Sequence, residues 1–187
     1  MNEDYFNVCK ERFFNLNRKT TMNKGMNEDY FNVCKELQNK YGIPSKPYMT
    51  IGKNGKWRKT SGISRTKEGL YIHHIDEWHF PLLSKVEIAQ NYSIESQEAQ
   101  NLCYCNLLEH LELHFLIEKN KNRDGTNDNY GSAVLYAQIM TSDNSEFRNS
   151  ADRIKHQMTD FFDKNYWVKW EDISYRWYNK FKGVINE

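Results

Sequence analysis

Hydrophobic and polar positions change their period several times along the chain, and each change marks a candidate element. The stretch from Met26 through Leu37-Gln38-Asn39-Lys40-Tyr41 reads as a short helix, with Asn27 placed as its N-cap, Gly42 at its stop and Pro44 just beyond. Leu70-Tyr71-Ile72-His73-His74-Ile75 has the composition of a strand. A polar insertion follows, and Leu102-Cys103-Tyr104-Cys105 then predicts a second short strand. From Asn106 to Glu118 the chain is rich in leucine and apolar almost all round, which predicts a buried helix. Lys119–Gly131 is rich in Asn, Asp and Lys and reads as an exposed loop. Beyond it, Ala133–Met140 predicts a short helix. Ser150 is placed as the cap of another, whose stripe Ala151, Ile154, Met158 and Phe161 keeps helical spacing. The last helix carries Trp170, Ile173, Trp177 and Phe181 on one face, with Gly183 near its end. The sum is an α+β chain, mostly helical, with one small pair of strands.

Composition then removes whole classes of protein. A length of 187 residues suits one domain with helical additions, and 39% hydrophobic with 14% aromatic content is too apolar for a disordered chain. Twenty-six basic against twenty-five acidic residues leave a net charge of +1, so any affinity for nucleic acid must come from local clustering. No apolar run approaches a membrane span, and the acidic start Met1-Asn2-Glu3-Asp4 is unlike a secretion signal. A cytoplasmic location without a membrane partner is expected. Cys9, Cys34, Cys103 and Cys105 are then expected to be reduced thiols that pack, and Cys103-x-Cys105 lacks the spacing of a zinc knuckle.

Residues Met1–Glu11 and Met26–Glu36 spell the same eleven letters. Two copies cannot build a solenoid. Residues 1–25 therefore read as a duplicated leader without chemistry of its own, expected to be dispensable. Residues 26–45 form the N-terminal helix, 46–69 a basic arm, 70–120 the strand-and-helix core, and 121–187 a loop with the C-terminal helices. The arm holds Lys46, Lys53, Lys56, Arg58, Lys59, Arg65 and Lys67 with no acid between Lys46 and Lys67, interleaved with Tyr48, Trp57 and three glycines. That mixture suits a flexible arm along a phosphate backbone, and equally a solvated basic loop.

The strongest chemical signal is histidine. Five of the six, His73, His74, His79, His110 and His114, fall in the central segment. His110 and His114 are four apart on a helix, so their imidazoles leave one face a turn apart, the spacing that brings two nitrogens to one ion. His73 and His74 are neighbours on a strand and point to opposite faces, so one can be a ligand while the other faces a substrate. His79 reads as a loop residue, and His156 lies alone on another helix.

In this order, His73-His74, Asn101-Leu102 and His110-x-x-x-His114 resemble the HNH nucleases, over roughly Gly69–Lys119. The resemblance implies a small ββα-metal core, a hairpin packed on a helix, with flanking N- and C-terminal helices. It implies one divalent metal ion held by His73, His110 and His114, with His74 as general base. Asn101 would hold the hairpin and keep His74 aimed. Asn106, four residues before His110, competes for that role, and Asn101 is favoured because it begins the second strand. DNA is the implied substrate, RNA remaining open, cut to leave 5′ phosphate and 3′ hydroxyl ends. Lys53, Lys56, Arg58, Lys59, Arg65 and Lys67 would grip the backbone, and the resemblance tips the arm toward that reading. The long gap from His74 to Asn101 makes Asp76–Gln100 an inserted excursion, in which Trp78, His79, Pro81 and the polar run after them would shape substrate access. Asp76 and Glu109 are candidates to orient an imidazole. All-histidine ligation suits zinc, nickel or manganese better than magnesium. Two other readings stand beside the nuclease: a nucleic-acid-binding module with a structural zinc, and a helical interaction protein whose histidines merely pack.

Overall fold

The computed structural model of the chain describes residues 25–123 and 130–183; the first copy of the repeat and the centre of the expected loop lie outside the described residues. Among the described residues, six helices and four strands follow in the order α1 (Gly25–Tyr41), β1 (Met49–Ile51), β2 (Trp57–Lys59), β3 (Tyr71–His74), α2 (Val86–Ala89), β4 (Leu102–Cys105), α3 (Leu107–Arg123), α4 (Gly131–Met140), α5 (Ser145–Gln157) and α6 (Lys164–Phe181). This is a mostly helical α+β fold. The strands form two separate antiparallel pairs, β1 with β2 and β3 with β4.

Helix α3 is the wall that both halves share, which is why its sequence is apolar almost all round. Leu108, Leu111 and Phe115 face the C-terminal helices, where Ala133, Ile139, Ile154 and Trp170 complete one core. Leu113, Leu116 and Ile117 face α1 and β4, meeting Tyr30, Val33, Leu37, Cys103 and Cys105 in a second. Trp78 belongs to this second core and stacks on Tyr30 at 4.9 Å, so it packs rather than shaping substrate access. Cys34, Cys103 and Cys105 are buried free thiols. Among the described residues, no helix is long and apolar enough to cross a membrane.

Several helix ends differ from expectation, each for a local reason. Helix α1 begins at Gly25, so Asn27 lies inside it rather than capping it. Its other end is as expected: Gly42 turns left-handed at φ +81° and its N–H donates to the Gln38 carbonyl, a conformation that glycine adopts without a Cβ clash. Helix α5 is capped by Asn144, whose Oδ1 accepts from the N–H groups of Glu146 and Phe147; Ser150 sits inside the helix and bonds the Glu146 carbonyl. The helix ends at Gln157, and the 3-10 turn over Thr159–Phe161 swings Phe162 into the core while Phe161 stays half-buried. Helix α3 runs through Lys119 to Arg123, so the start of the expected loop is helical; the Lys119 ammonium lies 3.4 Å from the centre of the Phe161 ring.

A buried polar knot joins three helices. The Glu118 carboxylate of α3 accepts from the Ser132 N–H at 2.8 Å, the Ser132 hydroxyl and the Tyr166 hydroxyl, and Trp170 Nε1 donates to Ser132 Oγ at 2.7 Å. A carboxylate at the first turn of α4 meets the positive end of that helix and occupies backbone N–H groups that the helix leaves unpaired. Glu118→Ala should leave these buried donors without an acceptor and lower stability by about 3 kcal/mol. Urea unfolding checks this; a loss under about 1 kcal/mol would mean the knot adds little beyond packing.

The arm is also more ordered than expected. Met49–Ile51 pairs with Trp57–Lys59 across a tight turn, and Met49 is fully buried. Tyr48 N–H donates to the Gln97 carbonyl and Thr60 N–H to the Tyr48 carbonyl, which ties this hairpin to the excursion that follows His74. The expected flexible arm is therefore a hairpin docked by its buried methionine and backbone bonds.

Candidate metal centre

Strand β3 ends at His74, paired so that His73 faces Cys103 and His74 faces Leu102 in register. A 3-10 turn over Ile75–Trp78 breaks the strand there. Helix α3 packs beneath the hairpin because Asn106 starts it with a reciprocal cap: Asn106 Oδ1 accepts from Glu109 N–H, and Glu109 accepts from Asn106 N–H, both at 2.9 Å. One turn on, His110 and His114 leave α3 toward β3. His73, His110 and His114 each offer a donor atom, all within 4.8 Å of one another. Their ring centres are 5.0 to 5.5 Å apart.

The tautomer of His73 is set by its neighbour. Tyr30 Oη donates its only proton to the Ile75 carbonyl at 2.9 Å, so at 2.8 Å it accepts from His73 Nε2–H. Burial pushes the Tyr30 hydroxyl well above its ordinary pKa, and the proton stays on. The lone pair of His73 is then on Nδ1. His73 Nδ1 and His110 Nδ1 are both enclosed without a hydrogen-bond partner. Burial pushes both imidazoles well below their ordinary pKa, with the neighbouring histidines adding to it, so they are neutral. Neutral imidazoles are what a cation site requires, His73 has in Tyr30 the outer partner that orients such a ligand, and the donor chemistry fits zinc, nickel or manganese.

His74 stands apart from the trio and lines a cavity of about 350 Å³ together with Glu77, His110 and His114. Gln97 Nε2 donates to the Leu83 carbonyl and to Ser96 Oγ, both at 3.3 Å, so Gln97 Oε1 accepts from His74 Nε2–H at 3.2 Å. That leaves the His74 lone pair on Nδ1. Burial pulls the His74 pKa down to about 4, opposed by the Gln97 bond, so the ring is neutral near pH 7. The Tyr48 ring meets it edge-on at 4.6 Å, and Lys59 lies 5.5 Å above the Tyr48 ring. The basic hairpin is thereby held beside His74.

The other expected residues fall unevenly. Asn101 precedes β4 in a 3-10 turn and donates to the Glu95 carbonyl at 2.7 Å, bracing the segment that carries Gln97, whereas Asn106 caps α3. Lys53, Lys56, Arg58, Lys59 and Lys67 are exposed. Arg65 is not a free gripping residue: it pairs with Glu68, the first acid after Lys67, donates to the Tyr41 carbonyl and stacks on Tyr104. Glu109 turns to Lys40 and Tyr41 on α1 rather than to an imidazole. His79 and His156 are exposed. Ile173 and Trp177 line the cavity while Trp170 is core.

Tyr30, Glu77, Gln97 and Gly131 are the residues that sequence reasoning missed. Tyr30 lies in the second copy of the repeat, so that copy backs His73. Glu77 carried a readable signal, an acid three residues after the histidine doublet; Gln97 had none. Gly131, the first residue of α4, abuts His114: a Cβ there would lie 2.3 Å from Nδ1 and 2.6 Å from Cε1. Gly131→Ala should displace the His114 ring and weaken ion binding by about 10-fold or more with the fold retained. Chelator competition alongside circular dichroism checks this, and unchanged affinity would show that the ring yields without cost.

Comparison of the chain with family models, with curated proteins and with solved structures finds no match.

Proposed function

We propose that the protein is a metal-dependent endonuclease of the HNH type that hydrolyses phosphodiester bonds of DNA. The observation that carries this reading is the division of labour between adjacent histidines: His73 joins His110 and His114, while His74 faces the same cavity with its own partner, Gln97. A purely structural ion has no use for a second, separately oriented imidazole.

When bound, a divalent cation at the trio supplies positive charge to the scissile phosphate and the departing 3′ oxygen. His74 Nδ1 accepts the proton of the attacking water, and Gln97 holds the ring in the tautomer that leaves Nδ1 open. Tyr30 fixes the tautomer of His73. Lys53, Lys56, Arg58 and Lys59 on the hairpin hold the backbone on the His74 side. The test is plasmid cleavage by the full chain, stripped with a chelator and resupplied in turn with zinc, manganese, nickel and magnesium. Nicking with at least one ion, abolished by chelator, is expected; intact plasmid under all four would overturn the reading.

Replacing Lys56, Arg58 and Lys59 together by alanine should weaken DNA binding for every sequence and flatten its salt dependence by about one log unit per lost phosphate contact, about three in all. Affinity measured across a salt series decides this. An unchanged slope would move the contact to another face, such as α6 with Lys169 and Arg176.

A further inference from the structure

We propose that Glu77 is a fourth protein donor of the centre, which makes it a three-histidine, one-carboxylate site; the proposal rests on the metal reading above. The 3-10 turn that ends β3 carries Glu77 back toward the trio. Its Oε2 lies 3.8 Å from His73 Nδ1 and 3.6 Å from His114 Nε2, and the residue is only 8% exposed. Both separations are too long for hydrogen bonds. They are close to the edges of a tetrahedron around a shared ion: bonds of about 2.0–2.2 Å to nitrogen and oxygen place the donors about 3.4 Å apart.

The tautomer of His73 determines what faces the carboxylate. Because Nε2–H is committed to Tyr30, His73 Nδ1 turns a lone pair, and no proton, toward the carboxylate. Two electron-rich atoms facing each other in a buried site repel, and a cation between them reverses the sign of the interaction. His114 Nδ1 is pressed against Gly131, so the nitrogen that His114 presents to the centre is Nε2, the one near Glu77. A carboxylate also lowers the net charge of the centre from that of a bare divalent ion. A phosphate oxygen would then have to enter beside four protein donors, an expansion of coordination that zinc permits.

Cobalt and zinc are the probes. Full-length protein freed of metal is titrated with cobalt(II) while its visible absorption is followed, and zinc affinity is read by competition with a chromophoric chelator. The wild-type chain should take one equivalent of cobalt with the intense absorption of a tetrahedral site. Glu77→Gln, which keeps the shape and removes the charge, should bind zinc more than about 100-fold less tightly, beyond the loss typical of a residue outside the coordination shell, and should change the cobalt spectrum. Glu77→Ala should recover its spectrum when acetate is added; if the Gln variant does not fold, this rescue decides. Wild-type affinity and spectrum in Glu77→Gln, or no response of Glu77→Ala to acetate, would overturn the assignment and leave the three-histidine centre standing. Failure of the wild-type chain to bind either ion would instead overturn the metal reading itself.

Discussion

His74→Ala should lower plasmid cleavage by about 10²–10⁴-fold, the usual contribution of a positioned base, with zinc content unchanged. His74 is 1% exposed, neutral and bonded through Nε2 to Gln97, and it is not one of the three clustered histidines. On the proposed reading, removing it takes away the proton acceptor and leaves His73, His110 and His114 in place. Gln97→Ala should show a milder form of the same defect, because the ring stays but loses its fixed orientation. Cleavage rates beside metal analysis of the same preparations check both. A His74→Ala enzyme that keeps most of its rate would dismiss His74 as base and favour a structural ion in a nucleic-acid-binding module.

His110→Ala and His114→Ala should behave in the opposite way, losing metal and activity together. Loss of a direct donor should weaken ion binding by at least about 100-fold, which at saturating metal converts to about 2.7 kcal/mol of stability. Without metal the same substitutions should cost much less. His110 Nδ1 is already an enclosed nitrogen without a hydrogen-bond partner, and deleting such a group relieves a desolvation penalty as well as opening space. The measurement is thermal unfolding of each variant with and without zinc. Equal losses in both conditions would show that these histidines serve packing alone.

The parts of the fold that local pattern controls were legible. The apolar surround of α3 predicted a buried helix, and it is the wall between two cores. Leu102–Cys105 is a strand with the expected bounds, and His110 with His114 share a helix face because i and i+4 always do. Local competition between capping residues was less legible. Asn144 outranks Ser150 as the start of α5, and Asn106 caps α3 while Asn101 braces the Glu95 turn. Each of these residues is a competent cap or turn former, and only the neighbouring backbone selects one.

The charged arm was misjudged for a different reason. Its glycines and lysines describe a solvated surface correctly, but Met49 is buried and the backbone bonds of Tyr48 tie the hairpin down. Arg65 is held at the surface by Glu68, three residues on, and by the Tyr41 carbonyl, which comes within reach once the chain is folded.

Spacing along the chain placed His110 with His114 on one helix face and His73 and His74 on opposite faces of a strand, since helix and strand periods are local geometry; that His73 is the one to join the pair was implied only by the resemblance, and the fold brings those three together. Nothing local could name what stands behind each ring. Tyr30 reaches His73 across 43 residues and Gln97 reaches His74 across 23, contacts made when α1 and the excursion pack onto the β3–β4 hairpin. Those partners assign the tautomers of His73 and His74, and so which nitrogen of each ring carries the lone pair. A hydrogen bond is specific over about 3 Å, so it follows from tertiary packing, which no periodicity in the chain records.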